Sequence, residues 1–397
     1  MKKRLSIIVR LLLAVLGIGY IVYTVNWTDG VELREHIEGQ PAPLKHYMPV
    51  VEGDMDARNQ IETLVVVDKR TNPPTRITLT PDELRDSDRY ILRPGFFSTL
   101  GHANVGLLLL GFALVSFTYP LQAWRWLILM RCQGLDVGYG KAMKLTMVGS
   151  FFNFCMPGST GGDVIKAYYA AARSERRTVA IMSVIFDRIA GLLGLVILGG
   201  VVGLFSLDIP LVRHITLYVW IGAGVFLLCA SIYFSRRARK SLGLDWVISK
   251  LPMQGLFKRV DEAAVSYRDS KKAVVASIAL SVPVHIALTS ATAVAGYALG
   301  MDTRFGLLMT VIPVIFLSGA VPITPQGAGV WEAIAGAMLV APPAVTINQC
   351  VAMLVMIRLY QLAYSLSGSV FLLTGDVHMH PERAEATAPE SDPATAA

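Results

Sequence analysis

Pro157-Gly-Ser-Thr-Gly-Gly-Asp163 cuts an apolar run that begins at Ala142, and Pro322-Ile-Thr-Pro-Gln-Gly-Ala-Gly329 cuts a second that begins at Leu307 and resumes to about Val340. Proline removes a backbone donor and glycine loosens the backbone, so each stretch breaks a helix. Lipid cannot hydrogen-bond the freed backbone groups. Breaks inside a membrane therefore need a protein-lined or watery cavity.

Unbroken apolar runs occupy roughly 104–130, 179–205, 214–235, 273–299 and 347–374. A helix crossing the hydrocarbon core needs about 20 apolar residues, and each run is long enough. Of the 397 residues, 53% are hydrophobic and 16% charged, and the mean hydropathy is +0.51. A soluble chain carries about 25% charged residues. This composition excludes a soluble enzyme, a disordered chain and a disulfide scaffold. It leaves an all-α polytopic membrane protein, a helical bundle of roughly eight or nine such segments with two broken, re-entrant helices.

The net charge of +7 does not point to nucleic acid, because the basic residues cluster in short loops between apolar runs. Such clusters mark cytoplasmic loops. Residues 236–272 hold 10 basic and 4 acidic side chains and are placed inside. Arg173, Arg176 and Arg177 mark a second inner loop. The loops at Asp208–Arg213 and Asp302–Arg304 are balanced and fall outside. Leu244–Phe257 reads as an amphipathic surface segment.

Residues 1–25 read as an uncleaved anchor helix with a cytoplasmic N-terminus. Residues 26–100 carry 13 acidic and 9 basic side chains and read as a small extracytoplasmic α+β insertion. Leu64–Asp68 and Arg76–Thr80 alternate as two strands around Thr71-Asn-Pro-Pro74, and Thr80-Pro-Asp-Glu-Leu84 reads as a helix start with Thr80 as N-cap. Residues 101–375 form the bundle. Residues 376–397, with His378 and His380, read as a disordered cytoplasmic tail without a metal role. The cysteines, Cys132, Cys155, Cys229 and Cys350, show no CxxC spacing and read as small buried thiols. No metal or cofactor is expected.

The two breaks resemble each other. Each has proline and glycines, then an acid opening a short helix, then a span carrying an arginine. Asp163 to Arg188 is 25 positions, and Glu332 to Arg358 is 26. One break enters from inside and the other from outside, the arrangement of an inverted-topology repeat with its site at the repeat interface. A charged residue at the bilayer centre costs roughly 2.5–3.5 kcal/mol, so Asp187, Arg188, Glu332 and Arg358 must face a cavity or one another. They read either as ion pairs that lock helices or as the walls of a polar cavity. In the second reading Arg188 and Arg358 attract a phosphate, and helix N-termini at Gly162 and Gly329 add N–H donors. Asp163 and Glu332 are then suited to a cationic group or a proton. Asp163 also reads as a capping partner of Thr160.

Three further positions have plainer readings. Arg125, between Trp124 and Trp126, reads as an interfacial anchor. Lys166 and Arg173, around Tyr168 and Tyr169, suit anionic headgroups at the inner leaflet. His285 reads as hydrogen-bonded structure before it reads as a proton relay. The sequence holds no GxSxG, Walker, HExxH or sugar-nucleotide pattern.

Four stretches, in this order, carry a resemblance: Trp124-Arg-Trp-Leu-Ile-Leu, Gly161-Gly-Asp-Val-Ile-Lys-Ala-Tyr-Tyr-Ala-Ala, Phe186-Asp-Arg-Ile-Ala-Gly-Leu and Pro322-Ile-Thr-Pro-Gln-Gly-Ala-Gly-Val-Trp-Glu-Ala. Over about residues 100 to 375 the chain resembles the transmembrane region of the lysylphosphatidylglycerol synthases, the flippase-like domain proteins. The resemblance implies a bundle with re-entrant segments that moves a lipid between leaflets, with Asp163, Arg188, Glu332 and Arg358 as its foremost positions. The synthases of that name continue into an aminoacyltransferase domain. This chain stops about 22 residues past its last span, so no lysyl transfer is expected. The implied partners are membrane lipids, an anionic or aminoacylated phospholipid or a glycolipid, in the inner (plasma) membrane. Residues 26–100 have room for a partner protein. Two other functions fit the sequence: a lipid-modifying transferase with Asp163 or Glu332 as base, and a non-transporting scaffold.

Overall fold

A computed structural model describes residues 15–35, 44–53, 63–86, 89–155, 161–172, 176–241, 243, 254–319, 324–340 and 345–373. The expectations for residues 1–14, Thr160, Arg173, most of Leu244–Phe257 and the tail with His378 and His380 lie outside the described residues.

Among the described residues five helices are long and apolar enough to cross a membrane: Val105–Arg131, Arg177–Gly203, Pro210–Phe234, Lys258–Ala298 and Ile347–Leu373. They fall on the five apolar runs of the sequence. The chain is a largely helical polytopic membrane protein with one small sheet.

The chain opens with α1 (Val15–Thr24) and runs into five strands, β1 (Gly30–Glu35), β2 (Leu44–Glu52), β3 (Leu64–Asp68), β4 (Thr75–Leu79) and β5 (Tyr90–Arg93). Their order in the sheet is β4-β3-β2-β1-β5, antiparallel throughout. The expected pair of strands is β3 and β4, in register from Leu64 opposite Leu79 to Asp68 opposite Thr75. A short helix, α2 (Pro81–Leu84), follows β4 with the expected capping box: Thr80 N–H donates to Glu83 Oε2 at 2.8 Å, and Glu83 N–H to Thr80 Oγ1 at 3.4 Å. Three strands were not expected. In β1 only Val31 and Leu33 are apolar between charged neighbours, yet both turn inward onto Met48, Leu64, Val66 and Leu79. Their partners come from β2 and β5, so the signal is non-local.

After α3 (Phe96–Gly101) the bundle begins. Its helices are α4 (Val105–Ser116), α5 (Thr118–Arg131), α6 (Tyr139–Cys155), α7 (Gly161–Ala172), α8 (Arg177–Gly203), α9 (Pro210–Phe234) and α10 (Arg236–Ser241). They continue with α11 (Gln254–Ser266), α12 (Lys271–Ala298), α13 (Phe305–Ser318), α14 (Val330–Leu339) and α15 (Ile347–Leu373). Pro283 in α12 and Pro313 in α13 sit inside helices, which neighbouring helices make tolerable in a membrane bundle. Val115, Leu308, Ile312, Ile315, Met353 and Ile357 centre the core.

Small residues let helix backbones close up where lipid offers no hydrophobic drive. A Cβ at Gly162 would fall onto the carbonyl of Gly149, so α7 lies tightly along α6. Gly329 has φ +83° and sits against Gly17, where a Cβ would strike the α1 backbone. This contact seats α1 on the second break.

Candidate functional site

A polar cavity of about 320 Å³ opens between α5, α6, α7, α8 and α12, closed on one side by Phe316, Gln326 and Trp331. Its charged residues come from three helices that the apolar packing brings together.

The deepest group centres on Asp187 of α8. Arg125 of α5 donates Nε–H to Asp187 Oδ1 at 2.7 Å, and Lys166 of α7 donates from Nζ to Asp187 Oδ2 at 3.3 Å. All three are buried. Arg125 also donates to Ser281 Oγ at 3.1 Å, and Lys166 Nζ stands 4.3 Å from the centre of the Trp126 ring. Arg125 is therefore not an interfacial anchor, and Lys166 does not present itself at the surface. The cause is Asp187: a carboxylate buried in an apolar bundle needs opposite charge, and both cations turn inward to supply it. Trp126 is likewise buried, donating Nε1–H to Ser183 Oγ at 3.1 Å, while Trp124 is exposed.

Nearer the opening, Arg188 of α8 is ion-paired with Asp163 of α7. The side chains are 29% and 32% exposed, and both line the cavity. Gly162 lines it too, but its N–H donates to Asn153 Oδ1 at 2.8 Å. That donor of the α7 N-terminus is spent within the protein.

The second break repeats the motif. Arg358 of α15 is ion-paired with Glu332 of α14, and these side chains are 15% and 0% exposed. Glu332 Oε2 also accepts the Gly329 N–H at 2.8 Å, so this helix start is closed by its own carboxylate. Arg358 donates to Gln326 O at 3.3 Å and lies 4.9 Å from the Trp331 ring centre. Gln326 and Trp331 line the cavity, whereas Glu332, Arg358 and Gly329 stand behind them. The spacing thus pairs the four foremost residues as two equivalent ion pairs, only one of which faces the cavity.

The breaks also meet directly, since Gln326 Nε2–H donates to Asn153 O at 2.9 Å. Gln326 has φ 50°, a left-handed backbone that turns its amide toward α6. His285 of α12 lines the cavity and holds Gly191 O at 2.8 Å through Nε2. A carbonyl only accepts, so Nε2 carries the hydrogen. In the neutral ring Nδ1, buried and without a partner, is left as an acceptor. Among the described residues no cluster of three or more His, Cys, Asp or Glu is placed to hold a metal.

The family model described as Lysylphosphatidylglycerol synthase TM region matches residues 95–368, more than half of the chain. The chain belongs to this family. No curated protein matches the chain closely. The matched segment contains both ion pairs, the Asp187 cluster and His285, and it begins just after β5, leaving the sheet outside.

In this family member the sequence concealed three site residues. Asn153 and Gln326 are ordinary amides whose only local mark is nearness to a break. Arg125 carried a usable signal: it lies in an apolar span, as Asp187 does, and intramembrane charges of opposite sign are natural partners.

Proposed function

We propose that this membrane protein carries the headgroup of a phospholipid between leaflets through the cavity, while the acyl chains stay in apolar surroundings. One observation carries the reading: of two equivalent ion pairs, Asp163–Arg188 is open to a polar cavity inside the bundle, and Glu332–Arg358 is shut away from it. Separating an ion pair in an apolar interior is costly unless each charge gains a new partner. A headgroup bearing phosphate offers that partner to Arg188, and an amine on it offers one to Asp163. Lys166 and Arg125 leave a cationic excess beside Asp187, which favours an anionic or phosphate-bearing group over a neutral one.

In this reading the protein resides in the plasma membrane with both termini in the cytoplasm. Residues 236–272 face the same side, in keeping with their basic excess. Residues 26–100 lie outside, where the sheet can receive a partner. The closed pair then marks the far side of the path from the open one.

The test is a leaflet-accessibility assay on the purified chain in phospholipid vesicles. Arg188→Ala, whose partner Asp163 stays partly solvated, is expected to fold and to lose headgroup movement. Wild-type movement by the folded variant would overturn the reading.

A further inference from the structure

An apolar groove of about 420 Å³ runs between α8, α9 and α13. Its α8 wall is Ile189, Leu192, Leu193 and Val196, spaced as one helix face. Its α9 wall includes Tyr218, Gly222 and Phe226, and Leu317 of α13 closes it. Two features join this groove to the polar cavity. Leu192 lines both spaces. On α13, Phe316 lines the cavity and its neighbour Leu317 lines the groove. The headgroup cavity and the apolar groove thus share Leu192 as a common wall residue.

The groove exists because α9 is tied to the bundle at separated points. Trp220 donates Nε1–H to Gly200 O at 3.2 Å, and Tyr233 donates to Asp261 Oδ1 at 2.6 Å. Between these ties α9 stands off, and a Cβ at Gly222 would meet nothing within 4 Å. The outer face of α9 is apolar and exposed, with Leu217, Ile221, Val225 and Leu228, a surface that hydrocarbon covers in a membrane protein.

We infer that this groove holds an acyl chain of the phospholipid whose headgroup occupies the cavity, so that lipid enters sideways between α8 and α9. The inference rests on the proposed headgroup site. It adds the place where the tail crosses the protein wall. An amphiphile fits this pair of spaces and a free polar solute does not, because only the amphiphile satisfies a charged chamber and an adjoining apolar one together.

The experiment is native mass spectrometry of the purified full chain, reading retained phosphatidylglycerol. Gly222→Leu adds bulk at a residue that lines the groove, where a Cβ meets nothing within 4 Å, and leucine suits a helix better than glycine. Gly224→Leu adds the same bulk to α9, also into open space, at a residue that does not line the groove. Gly222→Leu and Arg188→Ala are each expected to lower retention, the former roughly tenfold for two displaced methylenes, and Gly224→Leu to leave it unchanged. Unchanged retention in Gly222→Leu, or equal loss in Gly224→Leu, overturns the groove while a loss in Arg188→Ala keeps the headgroup site. Unchanged retention in Arg188→Ala, or none in the wild type, overturns the headgroup site and this inference with it.

Discussion

Asn348 and Asn26 hold each other by two hydrogen bonds across most of the chain: Asn26 N–H donates to Asn348 Oδ1 at 3.0 Å, and Asn348 Nδ2 donates to Asn26 O at 2.9 Å. The same amide nitrogen donates to Pro94 O at 2.8 Å. One buried side chain at the start of α15 thus fastens both strands of chain that join the sheet to the bundle. Asn348→Ala takes this partner from Asn26 N–H and Pro94 O, while Asn26 O keeps the Phe96 N–H at 2.9 Å, a cost of about 1–3 kcal/mol for each group left buried and unpaired. Faster amide exchange in β1 and β5, with α12 unaffected, is the expected result of hydrogen-exchange mass spectrometry. Asn348→Asp keeps the acceptor but turns a buried carboxylate oxygen toward the two carbonyl oxygens of Asn26 and Pro94, so it should loosen the sheet at least as much as alanine.

The Asp187 cluster predicts an asymmetry between its members. Asp187→Asn strands two buried cations, Arg125 and Lys166, and breaking a buried pair typically costs roughly 3–5 kcal/mol. Lys166→Met leaves Arg125 and Asp187 paired at 2.7 Å and keeps an apolar side chain over Trp126. A thermal melt in detergent should show a large drop for Asp187→Asn and a small one for Lys166→Met. Equal drops would mean that Lys166 is as needed to Asp187 as Arg125 is.

The long spans were legible because hydrocarbon imposes a length and a composition on each helix separately, and the ends of α8, α12 and α15 fall within two residues of the apolar runs in the sequence. The equivalence of Asp163–Arg188 and Glu332–Arg358 in spacing was legible for a different reason, since similar breaks imply similar geometry, but that each acid meets its own arginine was not read from the sequence. What could not be read was any partnership between distant segments. Val31 and Leu33 form a strand only because β2 and β5 flank them. Arg125 looks interfacial between two tryptophans until α8 brings Asp187 to it. Which ion pair faces the cavity depends on where Trp331 and Gln326 fall, and no local pattern records that.

The sheet carries its own acid sensitivity. Arg70 donates to Asp68 from its side chain at 2.7 Å and from its backbone N–H at 2.9 Å. These bonds hold the Asp68 carboxyl down to about 2, against an ordinary value of 3.8. A carboxylate whose folded pKa is depressed stabilises the fold fully above its unfolded value, and that contribution fades as pH falls from 3.8 toward about 2. Amide protection of the β3–β4 hairpin should therefore drop across this window. Arg70→Ala should start lower and flatten the dependence; an unchanged pH profile would remove this pair as its cause.

The two ion pairs, equivalent in spacing, should behave differently when broken. Glu332 is fully buried, caps Gly329 and holds Arg358, so Glu332→Gln leaves a nearly buried guanidinium uncompensated. Its main effect should fall on stability, in the range of roughly 3–5 kcal/mol for a broken buried pair. Asp163 is about a third exposed to the cavity, where water solvates what the substitution leaves behind. Asp163→Asn should melt within a degree or two of wild type, since partly solvated pairs contribute about 0–1 kcal/mol, and its loss should appear in headgroup movement. Exchanging the pair, Asp163→Arg with Arg188→Asp, restores the salt bridge but reverses the charge facing each end of the cavity. If the pair only braces α7 against α8, the exchanged variant should move lipid as the wild type does; if it receives the headgroup, the exchange should fold normally and stay inactive.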